Sequence, residues 1–334
     1  MALRSAQPQR VEVDAESAGQ RLDNFLLRLL KGVPKTHVYR IIRSGEVRVN
    51  KGRASADTRV ETGDVVRLPP VRLSARMTEK AAAMAGQAAG GVAAREFPVL
   101  MEDEALLAID KPAGVAVHGG SGVSFGVIEH LRIGRPQARF LELVHRLDRE
   151  TSGILLVAKK RSALKHLQDQ FRERETGKTY LALVAGQWPQ SKKVLDKPLH
   201  KYLLADGERR VRVVSRDDPD GMRSVTLVQV RERYAAPPGW PGSGFSLLEV
   251  TIKTGRTHQI RVHLASEGMP IVGDDKYGDF ELNKALQKYG LRRMFLHAWR
   301  LQFNHPVHAG RIELHAELPP ELDGFLKHVA STSS

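Results

Sequence analysis

The stretch HRLDRETSGILLVAKKRSALKHLQDQFRERETGKTYLALVAG, residues 145–186, decides the reading of the fold. It opens on a polar loop that sets one carboxylate, Asp148, between Arg146 and Arg149. ILLVAK then reads as a strand, and SALKHLQDQFRERE places Leu164, Leu167 and Phe171 on one face of a helix. KTYLALVAG is a strand again. Working outward, LLAID, SVTLVQV, SLLEVTI and RIELHAEL read as strands and THQIRVHLASEG as a helix. Helices do not alternate strictly with strands, so the expectation is an α+β fold with a largely antiparallel mixed sheet flanked by helices. An acid in so basic a setting is either a structural ion pair or a reactive group, and the local sequence leaves both open.

The 334 residues are long enough for about two domains. Lys and Arg number 52 against 38 Asp and Glu, a formal charge of +14. Such an excess attracts polyanions, and nucleic acid is the commonest polyanionic partner of a basic chain. There is no cysteine, which excludes disulfides, thiolate metal sites and a thiol nucleophile. No apolar run approaches the roughly 18 residues of a membrane span, and MALRSAQPQRVEV lacks the apolar core of a signal peptide. A cytoplasmic protein without membrane contact is expected.

Composition breaks once. Residues 71–95 hold nine Ala and three Gly and no aromatic residue, so 73–95 is expected to be a linker between domains at 12–72 and 96–325. Ahead of it, QRLDNFLLRLLK spaces Leu22, Phe25, Leu26, Leu29 and Leu30 as one helix face. PKTHVYRIIRSGEV supplies a second, with Val38, Ile41 and Ile42 inward. EVRVN and TGDVVRLP read as strands. Residues 20–70 carry 11 Lys/Arg against 5 Asp/Glu, a net of +6. Lys35, Arg40, Arg43, Arg48 and Lys51 cluster in the second helix and the hairpin behind it. Such a module can bind RNA phosphates, or these residues are ordinary solvated charges.

Other motifs fail on spacing. GKT at Gly177–Thr179 lacks the Gly of a P-loop, since Arg172 stands there, and VHGGSGVSFG does not match GxGxxG. His258 and His263 are five apart, not four, without an acidic or thiolate cluster, and read as structural. Ser152 has no nucleophile-elbow context. No metal or nucleotide cofactor is expected.

GQRLDNFLLRLLKGVPKTHVYRIIRSGEVRVNKGR with TGDVVRLP resembles the small α-L RNA-binding domain first named for a small-subunit ribosomal protein. HRLDRETSG, KTYLALV and TGRTHQIRVH are each weak alone. Together they resemble the pseudouridine synthases that modify ribosomal RNA, and within them the RluA/RluC/RluD family. KPAGVAVHGGSGVSFGVIEHLR and FLELVHRLDRETSGILLVAKKRSALKHL extend that likeness over nearly the whole chain.

The resemblance implies an enzyme that isomerises several uridines of 23S ribosomal RNA to pseudouridine without cofactor, as a monomer. It implies a catalytic role for Asp148, which attacks the sugar or deprotonates it, with Arg261 as the salt-bridge partner of that carboxylate. Tyr180 would stack on the uracil. Arg146 would fill the gap left by the flipped base, since flipping costs a few kcal/mol, and Ile260 would form an apolar wall. His145 and Thr151 would shape the loop. The alternatives are a synthase acting on other rRNA sites or tRNA, and a non-catalytic RNA-binding assembly factor.

Overall fold

The computed structural model describes residues 8–14, 17–30, 33–70, 94–119, 125–205, 207–236, 239–240 and 242–332. Two compact units make up the chain, Met1–Ala94 and Arg95–Ser334. Of the expected linker at 73–95, residues 73–93 lie outside the described residues.

The first unit contains β1 (Gln9–Glu12), α1 (Leu22–Leu29), α2 (Lys35–Arg43), β2 (Arg48–Val49), β3 (Gly52–Arg53) and β4 (Val65–Leu68). Its described strands form an antiparallel sheet in the order β1-β4-β2-β3. Leu22, Phe25 and Leu26 of α1 meet Val38, Ile41 and Ile42 of α2 in one core with Val47, Val60 and Val66. Each such side chain contributes roughly 1.5–3 kcal/mol on burial. EVRVN is a shorter strand than its alternation suggests. Asn50 and Lys51 both take left-handed backbone (φ 48° and 69°) to turn the hairpin, so pairing stops at Val49.

The second unit begins with β5 (Val99–Glu102), β6 (Leu106–Lys111), α3 (Val127–Gly134), β7 (Glu142–Leu143), β8 (Ser152–Ala158), α4 (Arg161–Glu173) and β9 (Gly177–Ala185). It continues with β10 (Val194–Asp196), β11 (Leu199–Leu203), β12 (Arg209–Val213), β13 (Val225–Tyr234), β14 (Phe245–Ile252) and α5 (Gln259–Ala265). It ends with α6 (Phe280–Leu286), β15 (Leu296–Asn304), β16 (Arg311–His315) and α7 (Pro320–Thr332), which runs past residue 325.

Ten described strands form one sheet in the order β10-β13-β14-β9-β15-β8-β6-β5, with β16 on β15 and β7 on β8. Among the described pairs only β8 with β15 is parallel, so the fold is the expected α+β. β8 is buried along its whole length because helices cover both its faces. Ile154, Leu156 and Ala158 pack with Ala163 and Leu167 of α4. Leu155 and Val157 pack with Val127, Ile128 and Leu131 of α3. β11 and β12 form a separate hairpin that the sequence reading did not anticipate. No described helix is long and apolar enough to cross a membrane.

Candidate active site

The loop 144–151 joins β7 to the core strand β8, and several contacts hold it at both ends. Leu147 is buried, and Thr151 donates its N–H to the Asp148 carbonyl at 3.2 Å. Gly153 has φ 110°, and a Cβ there would lie 2.3 Å from the Ala298 carbonyl oxygen, so this position admits only glycine. Ser152 and His297 are 2.8 Å apart (Oγ to Nδ1). They resemble a nucleophile–base pair, but both are buried and Arg293 donates to the same Oγ at 2.8 Å. The imidazole Nε2 lies 2.9 Å from the Ala316 carbonyl, which makes this an anchor for the loop. Burial lowers the His297 pKa to about 4.

Two further anchors were missed or only half seen in the sequence. Lys111, fully buried at the end of β6, donates to the carbonyls of Pro112 (2.8 Å), Val115 (2.9 Å) and Arg149 (3.1 Å). Burial lowers its pKa to about 7, yet three carbonyls are matched by the three donors of an ammonium. KPAG contains this lysine, but nothing local says that it faces inward. His145 stacks on Phe171 at 4.8 Å, and its Nε2 accepts the Leu156 N–H at 3.1 Å. Burial lowers its pKa to about 4, so the ring is neutral.

Asp148 emerges from this frame with its side chain 24% exposed. Its chain neighbours do not pair with it. Arg149 bonds Gly114 O and Glu150, and Arg146 is exposed at the pocket. The nearest nitrogen donors come from the TGRTHQIRVH segment. Arg261 Nη1 is 3.6 Å and His258 Nε2 3.9 Å from Asp148 Oδ2. Arg261 belongs first to another acid, however. Its Nε and Nη2 donate to Asp274 at 2.7 and 2.6 Å, and Nη2 reaches Asp275 at 3.1 Å. Burial works against the guanidinium's charge, but Asp274, then Asp148 and Asp275, raise its pKa above the ordinary value. Burial likewise opposes the Asp274 carboxylate, and Arg261 with the N–H groups of Lys276 and Tyr277 holds its pKa below the usual range.

Asp148, Tyr180, Arg261, Arg146 and Ile260 all line one cavity of about 110 Å³, together with Leu147, Thr151, Arg256 and His258. That is some tenfold more than the ~10–15 Å³ one water needs. Tyr180 projects from β9, half-buried where two core clusters meet. Burial and then the Asp148 charge raise its hydroxyl pKa, so the ring is neutral. Gln259 braces the loop that precedes it and ties it to β13, bonding Thr254, Arg256 N–H, Val225 O and Thr226. α5 is shorter than the sequence reading, because His258 takes left-handed backbone (φ 52°) and the helix starts after it. The two histidines of this segment also differ. His263 is fully buried between Thr226 and the Lys197 carbonyl, whereas His258 faces Asp148.

In the first unit, Lys35, Arg40 and Arg43 are exposed on α2 opposite its buried Val38, Ile41 and Ile42. Lys51 is exposed in the hairpin turn, and Arg48 is half-buried and aligned with Arg53 and Arg67 on the neighbouring strands. Among the described residues, one group has metal-ligand spacing: His200, Asp218 and Asp220. None of the three lines the Asp148 cavity.

Residues 105–266 match the family described as RNA pseudouridylate synthase, and residues 20–66 match the S4 domain. The chain is 50% identical over 314 residues to Ribosomal large subunit pseudouridine synthase C of Pasteurella multocida (strain Pm70), covering 94% of this chain and 91% of that one. It is 52% identical over 298 residues to the protein of that name in Escherichia coli (strain K12), covering 89% and 88%. Among solved structures, Human RNA Pseudouridylate Synthase Domain Containing 4 aligns with a TM-score of 0.55 at 28% identity, over 70% of this chain and 92% of that one. Half of all positions are thus shared across nearly the full length, with an S4 domain preceding the matched catalytic region, and the chain belongs to the RNA pseudouridylate synthase family.

Proposed function

We propose that the chain converts uridines of large-subunit (23S) ribosomal RNA to pseudouridine, with Asp148 as the catalytic carboxylate. The observation that carries this reading is the position of Asp148. It stands partly exposed in a small cavity beside neutral Tyr180, with Arg261 as its nearest arginine. The reaction breaks the N1–C1′ bond, turns the uracil and joins C5 to C1′. C5 loses its proton and N1 gains one, so atoms and electrons balance without a cofactor. Asp148 either bonds C1′ or takes a proton from the sugar, and both roles use the same placement. Tyr180 stacks on the extruded base against Ile260, and Arg146, exposed at the rim, fills the vacated stack.

The rRNA target is supported by relatives of about half identity that carry the large-subunit name. Lys35, Arg40, Arg43, Arg48 and Lys51 then hold RNA phosphates by charge. The enzyme works as a monomer in the cytoplasm, where this RNA is assembled. The test is Asp148→Asn assayed by tritium release from carbon-5-labelled uridine in rRNA. Release is abolished while RNA binding is retained. Wild-type turnover by the variant refutes the assignment.

A further inference from the structure

His258 is not explained by the roles above, and its surroundings set the state of its ring. Its Nδ1 lies 2.8 Å from Tyr277 Oη, and its Nε2 lies 3.9 Å from Asp148 Oδ2. Tyr277 Oη also accepts the backbone N–H of Val211, in β12, at 3.0 Å. A backbone N–H can only donate, so the phenol oxygen is the acceptor there and its own proton is left to donate. Among the described contacts, the acceptor in reach of that proton is His258 Nδ1. An imidazole whose Nδ1 accepts carries its proton on Nε2 when neutral. The N–H dipole therefore points at the carboxylate.

Arg261 Nη1 approaches the same carboxylate oxygen, Oδ2, at 3.6 Å. We infer that His258 is a positioning residue for Asp148: with Arg261 it holds Oδ2, turning Oδ1 toward the sugar, and Tyr277 sets the tautomer that makes this possible. The contact at 3.9 Å is electrostatic, beyond hydrogen-bond length. The groups around the imidazole agree with a neutral ring. Burial lowers its pKa first, Arg261 and Lys276 lower it further, and Asp148 and Asp274 oppose them. Left-handed backbone at His258 keeps the side chain on this line, at a φ that non-glycine residues seldom adopt. Through Val211, the β11–β12 hairpin with its Lys201, Arg209, Arg210 and Arg212 is tied to the reacting carboxylate. This inference rests on the catalytic reading of Asp148.

Two measurements test it. Ring ¹⁵N shifts of His258 in the full chain near neutral pH are expected to show Nδ1 unprotonated and Nε2 protonated. A protonated Nδ1 overturns the inference whatever the activity. Tyr277→Phe keeps the ring that lies against Arg261 at 5.2 Å and Arg210 at 5.7 Å and removes only the hydroxyl. It is expected to lower kcat for tritium release on the order of tenfold, the rate equivalent of one hydrogen bond, with KM unchanged. His258→Asn, which tolerates the left-handed backbone, gives a similar loss, and the double variant is no slower than His258→Asn alone. Additive losses, or a change in KM with kcat intact, overturn it. If Asp148→Asn were active while the tautomer stood as described, the catalytic reading would fail and the Tyr277–His258 pairing would not.

Discussion

Replacing Asp274 with Asn takes one negative charge from a guanidinium that is only 3% exposed. Removing one partner of a buried ion pair costs about 3–5 kcal/mol, because the other charge stays buried. Two carboxylates soften the loss here, Asp275 at 3.1 Å and Asp148 at 3.6 Å from Arg261. The Asn carbonyl also still accepts from Lys276 and Tyr277. The expected cost is therefore about 2–3 kcal/mol, at or just below the lower bound of the range for a broken buried pair. For a unit of this size that lowers Tm by about 4–12 °C.

Catalysis suffers separately. Released from Asp274, Arg261 is drawn toward Asp148, and a shift of about 1 Å at a reacting group costs on the order of 100-fold in kcat. Thermal unfolding and tritium release from labelled rRNA measure the two effects, and RNA affinity is expected to hold. The pH dependence has a definite sign. The folded-state pKa of Asp274 lies below its ordinary 3.8, so its stabilisation is present above that value and is lost as pH falls below it. The Asn variant lacks that acid slope. A variant that melts with the parent and turns over at its rate refutes the claim that Asp274 aims Arg261.

Gly153→Ala sets a Cβ against the Ala298 carbonyl at 2.3 Å at a φ of 110°, and the strain alone costs about 1–3 kcal/mol. Calorimetry should show a lower Tm with reduced turnover, since β8 and β15 must separate beside the Asp148 loop. His297 is neutral when folded, with its pKa lowered from 6.5 to about 4. As pH falls below 6.5 the unfolded chain takes up the proton first, so stability declines down to about pH 4, by roughly 3 kcal/mol. His297→Phe should flatten that part of the urea-midpoint profile; an unchanged slope assigns it elsewhere. Changing Lys35, Arg40 and Arg43 together to Gln should reduce the salt slope of RNA binding by roughly 0.7–0.9 per lost phosphate contact. Titrations across salt concentration check this, and an unchanged slope removes these residues from the RNA interface.

Much of the fold was legible because its signals are local. Leu22, Phe25 and Leu26 recur at helical spacing, and the same residues are buried in the first core. ILLVA is apolar at every position, as a strand covered by α3 and α4 must be. The β11–β12 hairpin was not legible, because Lys201, Arg209, Arg210 and Arg212 break up its apolar pattern. The early end of EVRVN and the late start of α5 were also hidden, since Asn50, Lys51 and His258 adopt left-handed backbone without a glycine to announce it.

At the site, the family resemblance of three motifs, each weak alone, implied which segments meet, and the loop of Asp148, the strand of Tyr180 and the helix of Arg261 and Ile260 line a single cavity. Composition and spacing left the pairing open, and the resemblance gave Arg261 as the salt-bridge partner of Asp148 but gave no part to His258, Asp274 or Tyr277. Arg146 and Arg149 flank Asp148 in the chain, yet the rigid turn between β7 and β8 sends both aside, and Arg261 and His258 arrive from α5 and the residue before it. Arg261 in turn is held by Asp274, an acid with no motif-level signal, and His258 by Tyr277 and the hairpin behind it. Periodicity is a property of neighbours along the chain, readable residue by residue. Ion pairs and tautomers are set within a few ångströms by strands and loops distant in sequence, so only the closed tertiary structure decides them.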